Sequence, residues 1–454
     1  MVEDKNISRR NFIARSTKTA AGVAAASAVV SNSVLGANDR INIAVIGISN
    51  RGRSHVSEFM QIPDVHIRTL CDIDENTWPS KVKQVQEKQG KKPKTEYDLR
   101  KVFDDKDIDA VTLAIPAHWH ALATIWACQA GKHVFVEKPC SHNIWEGRKM
   151  IEAASKYNRI VSVGLQNRSH YGVRKAMEFL HEGGIGDVYM ARGLDFKTRY
   201  SIGRPKDDPA PPKGVHYDIW LGPAPWRPFN ANRFHYRWNW FWDYGMPDIG
   251  NQGVHQMDIA RWGLNKNDSP TKIKSMGGYF AFDNSNQETP VDITALYEYD
   301  DGKILQFETR GLYTNAEDDI KIGNLFIGTK GWMHLYEGDW KTYMGQPPDG
   351  HGQRDSIPGP SFSWKDDDPD NRPGAKALYT NFINAMKSGN RADLNADIIE
   401  GHRSTTLVNL AIISYHTGRE VIFDSHSERF FGDDQANGYL TRNYRPPYVV
   451  PEKV

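Results

Sequence analysis

Gly47-Ile48-Ser49-Asn50-Arg51-Gly52 is the first run of residues whose types and spacing suit chemistry. It reads as a G-x-G-x-x-G dinucleotide fingerprint with Ser49 in place of the middle glycine. Gly47 permits a tight turn, and Gly52 lets a helix pack closely on the preceding strand. Ser49 is the smallest substitute where the pyrophosphate would lie, and its hydroxyl can donate a hydrogen bond. Asp72 stands twenty residues after Gly52. It has two readings: a carboxylate on the adenosine ribose hydroxyls, or a cap for the next helix. Strand, glycines and spacing together favour the ribose, and the charge would repel a 2′-phosphate, which selects NAD over NADP. Arg51 and Arg53 either bring positive charge to the phosphates or adenine, or are solvated.

A second group lies in Asp248-Ile249-Gly250-Asn251-Gln252-Gly253-Val254-His255-Gln256-Met257-Asp258-Ile259-Ala260-Arg261-Trp262. His255 is either a general acid/base or a hydrogen-bonded core residue. Asp258, three residues on and on the same helical face, either supports His255 or pairs with Arg261. The third group is aromatic, from Arg233 to Trp242. Indole faces interleaved with Arg and Asn suit a sugar ring, with Trp238 the candidate contact, although aromatics this dense also build cores and interfaces.

The elements that must position these residues follow from periodicity. Apolar runs at 41–46, 65–70, 109–115, 133–136 and 160–164 read as strands. Helical patterns at 54–61, 78–89, 121–131 and 144–157 separate them. Such alternation predicts βαβ units and a parallel sheet, with the loops after each strand on one edge. Past residue 164 the pattern changes. A helix near 174–182 leads to a strand at 188–196, and 203–242 is a Pro-, Trp- and Arg-rich excursion. Strands are expected at 273–282, 292–299, 303–309, 324–327 and 331–335. Asp300-Asp301-Gly302 marks a hairpin, so this sheet is mostly antiparallel. Residues 345–374 read as loop, helices are expected at 375–387 and 396–417, and 445–454 runs extended over the surface or a neighbouring subunit.

Pro116-Ala117-His118-Trp119-His120 at the third expected strand's end and Glu137-Lys138-Pro139 after the next resemble the Gfo/Idh/MocA family of glucose–fructose oxidoreductases and inositol dehydrogenases. The likeness runs through nearly the whole chain after its leader. It implies an α/β fold: a Rossmann domain over 38–164 and an α+β substrate-binding and oligomerisation domain over 165–454. It also implies that Lys138 contacts the substrate hydroxyl, that Glu137 bonds the nicotinamide ribose, and that Pro116 and His120 help close the cofactor pocket. Gln166 and Arg168 fall where the family lines nicotinamide and substrate. The family carries Asp-x-x-x-His where this chain has Asn251 four residues before His255. An amide cannot relay a proton as a carboxylate does, which leaves Asn251 as a substrate contact and Asp258 as the replacement carboxylate.

Composition bounds the rest. The 454 residues are 39% hydrophobic and 25% charged with net charge +1, which argues against nucleic acid or an anionic membrane as partner. Cys71, Cys128 and Cys140 match no zinc spacing and offer no disulfide framework. Ser8-Arg9-Arg10-Asn11-Phe12-Ile13 followed by an Ala-rich apolar stretch predicts a twin-arginine leader over 1–37, hence an exported protein, periplasmic or extracellular, with no stable membrane insertion after processing. The expected function is NAD-dependent oxidation of a CH–OH group in a sugar or polyol with tightly held cofactor. The alternatives are an NAD-dependent glycosidase cycling through oxidation, elimination, addition and reduction, and a carbohydrate-binding protein with structural NAD.

Overall fold

Strand formation begins where the chain is continuously apolar. Ile41–Ile46 is β1, and its last four residues are buried, because a parallel strand covered on both faces meets no water. The computed structural model describes residues 40–205, 207–312, 316–317, 320–346, 355–367 and 374–454; the expected leader over 1–37 lies outside them. β2 (Val65–Cys71), β3 (Lys94–Glu96), β4 (Ala110–Leu113), β5 (His133–Val136) and β6 (Val161–Val163) complete a parallel sheet in the order β3-β2-β1-β4-β5-β6. The connections are α1 (Arg51–Phe59), α2 (Trp78–Gln89), α3 (Leu99–Asp104), α4 (Ala117–Gln129) and α5 (Ile144–Lys156). Strand order reverses between β1 and β4, so their following loops part and leave a crevice at the carboxyl edge.

After α6 (Tyr171–His181), β7 (Val188–Asp195) opens the second sheet. It is joined by β8 (Lys272–Gly278), β9 (Asp292–Glu298), β10 (Ile304–Thr309), β11 (Ile322–Gly328), β12 (Gly331–Tyr336), β13 (Asp339–Met344), β14 (Ile357–Phe362), β15 (Val421–Asp424) and β16 (Arg429–Phe430). The order is β14-β13-β12-β11-β7-β10-β9-β8-β15-β16, and β7 with β10 is the parallel neighbour pair in an otherwise antiparallel sheet. Gly302, in the left-handed region at φ 81°, turns the chain between β9 and β10. Alternate residues of β9 and β10 (Ile293, Ala295, Tyr297, Leu305, Phe307) are buried toward α7 (Gly253–Gly263) and α9 (Ile398–Thr417). Met276, Leu296, Ile304 and Ile422 are exposed. A further helix, α8 (Gly374–Ser388), packs on α1 and on the turn after β6. One continuous apolar core runs through both sheets, and Ile41–Val454 form a single unit.

One expectation changes. The stretch 345–374, expected to be loop, contains β14 and a helical turn at Trp364–Asp367. β14 reads Ile357-Pro358-Gly359-Pro360-Ser361-Phe362, and its prolines are tolerated because it is an edge strand with ladder partners on one side. The C-terminal residues 445–454 form neither helix nor strand and lie over the chain's own surface. Tyr448 packs edge-on against Trp119 at 5.4 Å, and Arg445 bonds Gly222 O and Asp218. No helix of the described residues is long and apolar enough to cross a membrane. All three cysteines are buried, which pushes each thiol's pKa up.

Candidate active site

At the crevice the two glycines are sterically required. Gly47 sits at φ +77°, and a Cβ there would lie 2.4 Å from Ala114 O; one on Gly52 would lie 1.9 Å from Gly47 O. The first turn of α1 has neither an acidic residue nor a side-chain cap; Gly52 N and Arg53 N donate to the carbonyls of Ser49 and Asn50, and no carboxylate of the turn opposes an anion there. Asp72 accepts from Ile48 N (2.9 Å) and Asp74 N (3.0 Å). Burial raises its pKa, and those two donors oppose the rise. Gly47, Ser49, Arg51, Asp72 and Pro116 all line one cavity, which continues to Glu137, Lys138, Trp238 and Asn251.

At the far end the side chains are tightly partnered. Glu137 accepts from Arg51 Nε at 2.8 Å and lies 3.0 Å from His55 Nε2, whose other nitrogen meets Thr112 Oγ1. Burial alone would raise the Glu137 pKa; Arg51 and His55 hold it well below the usual carboxylate range. Lys138 Nζ donates to the backbone carbonyl of Asn251. Burial pushes the Lys138 ammonium down to about 8, against the pull of Glu137. The Asn251 amide nitrogen bonds Tyr236 Oη (3.0 Å) and Asp248 Oδ1 (3.2 Å), and Asp248 is in turn gripped by Arg199. His255 is buried, its Nδ1 has no partner among the described residues, and burial followed by the Lys138 charge puts its pKa well below the ordinary value. It is therefore neutral near pH 7.

Several expected residues are placed elsewhere. Asp258 does not face the cavity. It receives Arg168 through bonds of 2.8–3.0 Å and Ser404 Oγ at 2.6 Å, with Arg261 at 3.5 Å. Arg168 also bridges to Glu400 at 2.9 Å. The reason is geometric: the side of α7 that carries Asp258 faces α9 and the turn after β6. Its lone pairs are taken up in an ion-pair network, so it does not replace the missing carboxylate, and Arg168 is not on the cavity wall. Gln166, in that same turn, packs its backbone on α8. His120 bridges the carbonyls of Ile115 (2.9 Å) and Pro139 (2.7 Å), bracing the loops behind the cavity. His402 is buried against Glu428 at 2.7 Å, away from the cavity lining.

The excursion forms the other wall. Trp220, Phe229, Phe234, Trp240, Phe241 and Tyr244 make an aromatic core of their own. That core presses the chain onto the loop after β2: Glu75 N bonds Gly214 O, His216 N bonds Ile73 O, and His235 Nε2 pairs with Asp74 at 3.1 Å. On the opposite side of the crevice Trp119 Nε1 donates to Ile219 O at 2.9 Å. Most of the aromatic run is thus core, while Tyr236, Trp238 and Asn239 face the cavity. Tyr97, Lys197 and His55 went unnoticed in the sequence. Tyr97 and Lys197 each follow a strand end, the place to look once β3 and β7 are known. His55 had no local signal.

Family models match both halves: an oxidoreductase family, NAD-binding Rossmann fold over residues 41–165, and its C-terminal alpha/beta domain over 185–318 and 363–450. A glycosyl hydrolase family 109 protein from Shewanella baltica is 27% identical over 206 residues, 40% of this chain and 44% of its own length. Myo-inositol 2-dehydrogenase from Thermotoga maritima is 29% identical over 172 residues, 38% of this chain and 47% of its own. These matches span less than half the length of either relative. Among solved structures, the WlbA dehydrogenase from Bordetella pertussis, crystallised with NADH and UDP-GlcNAcA, has a TM-score of 0.61 at 19% identity, covering 85% of this chain and 99% of that one. The glycine cradle and the bare helix terminus fit NAD, and the chain belongs to the NAD-binding Gfo/Idh/MocA oxidoreductase family.

Proposed function

We propose that this protein oxidises a CH–OH group of a sugar or polyol with NAD that stays in its site through the cycle. The observation that carries the reading is Lys138. It is a half-buried ammonium at the reactive end of the nucleotide crevice, with its pKa brought to about 8 by desolvation. Bound NAD supplies the hydride acceptor. Lys138, held on the Asn251 carbonyl, stabilises developing alkoxide charge on the substrate oxygen. Glu137, fixed by Arg51 and His55, keeps Lys138 charged and would bond the nicotinamide ribose. Neutral His255, buried beside the Lys138 charge, is an acceptor for the hydroxyl proton. Trp238 offers an aromatic face to the ring. The excursion, fastened on both sides of the crevice, supports slow cofactor exchange.

The twin-arginine pattern supports export in folded form with cofactor already loaded, after which reoxidation must happen within the site. The exposed apolar residues Met276, Leu296 and Ile304 support pairing of subunits through the second sheet.

A second reading is favoured by the likeness to a glycosyl hydrolase family 109 protein: a redox-neutral glycosidase that oxidises, eliminates, adds water and reduces. Both readings are tested by the absorbance and fluorescence of the purified protein offered a panel of sugars and glycosides. NADH that accumulates until a carbonyl compound is added supports the oxidoreductase. Aglycone release without net reduction supports the glycosidase. Cofactor that stays oxidised with every compound, and releases nothing, sinks both.

A further inference from the structure

Asn251 is the residue at which this chain departs from its family's acid/base pattern, and its contacts say what replaces the lost carboxylate. Asp248 turns its carboxyl oxygens to Arg199 and accepts, so the amide end turned toward it must be the NH2. That nitrogen has two N–H bonds. One goes to Asp248 and the other to Tyr236 Oη, so the phenol oxygen is an acceptor in this contact. Its own proton then finds no protein acceptor among the described residues. Tyr236 is 43% exposed, on the cavity wall that also carries Lys138. Both groups are pinned to Asn251, the ammonium on its backbone carbonyl and the phenol on its side chain. His235, just before it, holds a left-handed backbone at φ 50°, uncommon for a residue with a Cβ and frequent where a neighbouring side chain must be aimed.

We propose that Tyr236 is the catalytic acid/base of this site and that Asn251 sets its polarity, an inference resting on the oxidoreductase reading above. In the oxidising direction the carbinol C–H bond breaks with its electron pair passing to NAD. The O–H bond breaks with its proton passing to the ionised Tyr236 oxygen, and C=O forms as NAD becomes NADH. In the reducing direction the phenol returns that proton to the carbonyl oxygen. Asn251 donates an N–H to the phenol oxygen and holds the Lys138 ammonium on its carbonyl. A carboxylate at position 251 would do the opposite, taking the phenol's proton and repelling the phenolate.

The test uses the full chain with NAD loaded, first offering myo-inositol, D-glucose and levoglucosan to the wild type to find which of them reduces the cofactor. Tyr236→Phe should bind NADH as the wild type does, read by nucleotide fluorescence. It should reduce NAD with that sugar at least about a hundredfold more slowly. A second readout is independent of turnover: with 3-fluorotyrosine at 236, Asn251→Asp should move the phenol's ionisation, followed by fluorine NMR, up by about one pH unit. A Tyr236→Phe rate within about threefold of an active wild type overturns the assignment and leaves the oxidoreductase reading standing. A fluorine titration unmoved by Asn251→Asp overturns the role of the amide. A wild type that no sugar reduces fails the oxidoreductase reading itself, and the assignment falls with it.

Discussion

Two buried charge clusters stand near one another in this molecule and have opposite designs. In one, Arg51 and His55 surround the Glu137 carboxylate, which borders the Lys138 ammonium, and the ammonium faces a cavity. In the other, Asp258, Arg168, Arg261, Glu400 and Ser404 close on one another between α7, α9 and the turn after β6. Both contain Asp or Glu with Arg, and both arise from helix and strand-end positions that look alike in sequence. What separates them is whether any group keeps an unused valence. Lys138 and the Tyr236 hydroxyl do; Asp258 does not. The first cluster is built to meet a ligand, and the second holds two helices and a turn in register.

The comparison breaks most readily at Asp258. Replacing it with Ala leaves Arg168 and Arg261 buried without their carboxylate, and we expect a loss of about 3–5 kcal/mol in urea unfolding. If Asp258→Ala instead kept its stability and lost only turnover, the two clusters would have to exchange roles. Lys138→Met should show the reverse pattern. Its kcat/KM should fall about 10²–10³-fold with the melting temperature little changed. For the wild type, kcat/KM should decline as pH rises through about 8, where the ammonium loses its proton.

Acid probes the sealed cluster through Glu400. Burial would raise Glu400, but Arg261 and Arg168 bring it from 4.5 down to about 2. A carboxylate depressed in this way adds stability above its unfolded value, and that contribution is lost as pH falls through the folded value. Glu428 is depressed over the same range, so the Glu400 share is read by difference: between pH 4.5 and about 2 the wild type should lose roughly 2–3 kcal/mol more than Glu400→Gln by urea titration. The smallest effect is expected at the cavity rim. Trp238→Ala should raise the sugar's KM about tenfold with kcat nearly kept, and a change in kcat alone would remove it from the substrate side.

How much of this was legible in the sequence depended on the distance over which each signal acts. Gly47, Gly52 and Asp72 are tied by the geometry of a single βαβ unit, so spacing suffices to find them, and Glu137-Lys138-Pro139 is one contiguous motif. The parallel sheet was legible for the same reason. Asp258 was misread because periodicity names a helix face but not what lies across from it. Its partner Arg168 comes from another element, ninety residues earlier. Lys197 and Tyr97 arrive at the cavity from the ends of β7 and β3, and β3 is only three residues long, too short to announce itself. β14 was hidden by its prolines, which look like loop until the strand is known to lie at an edge. The buried His55 had no pattern around it that marks a partner for Glu137.

The C-terminal stretch gives the parallel-sheet domain an unusual history during synthesis. Tyr448 covers Trp119 and Trp126 of α4, Arg445 fastens the excursion at Gly222 and Asp218, and Lys156 at the end of α5 binds the carbonyl of Val454. A ribosome delivers the six parallel strands well before residues 445–454. The nucleotide half can gather its strands while translation continues, yet its outer indoles remain uncovered until Tyr448 has followed.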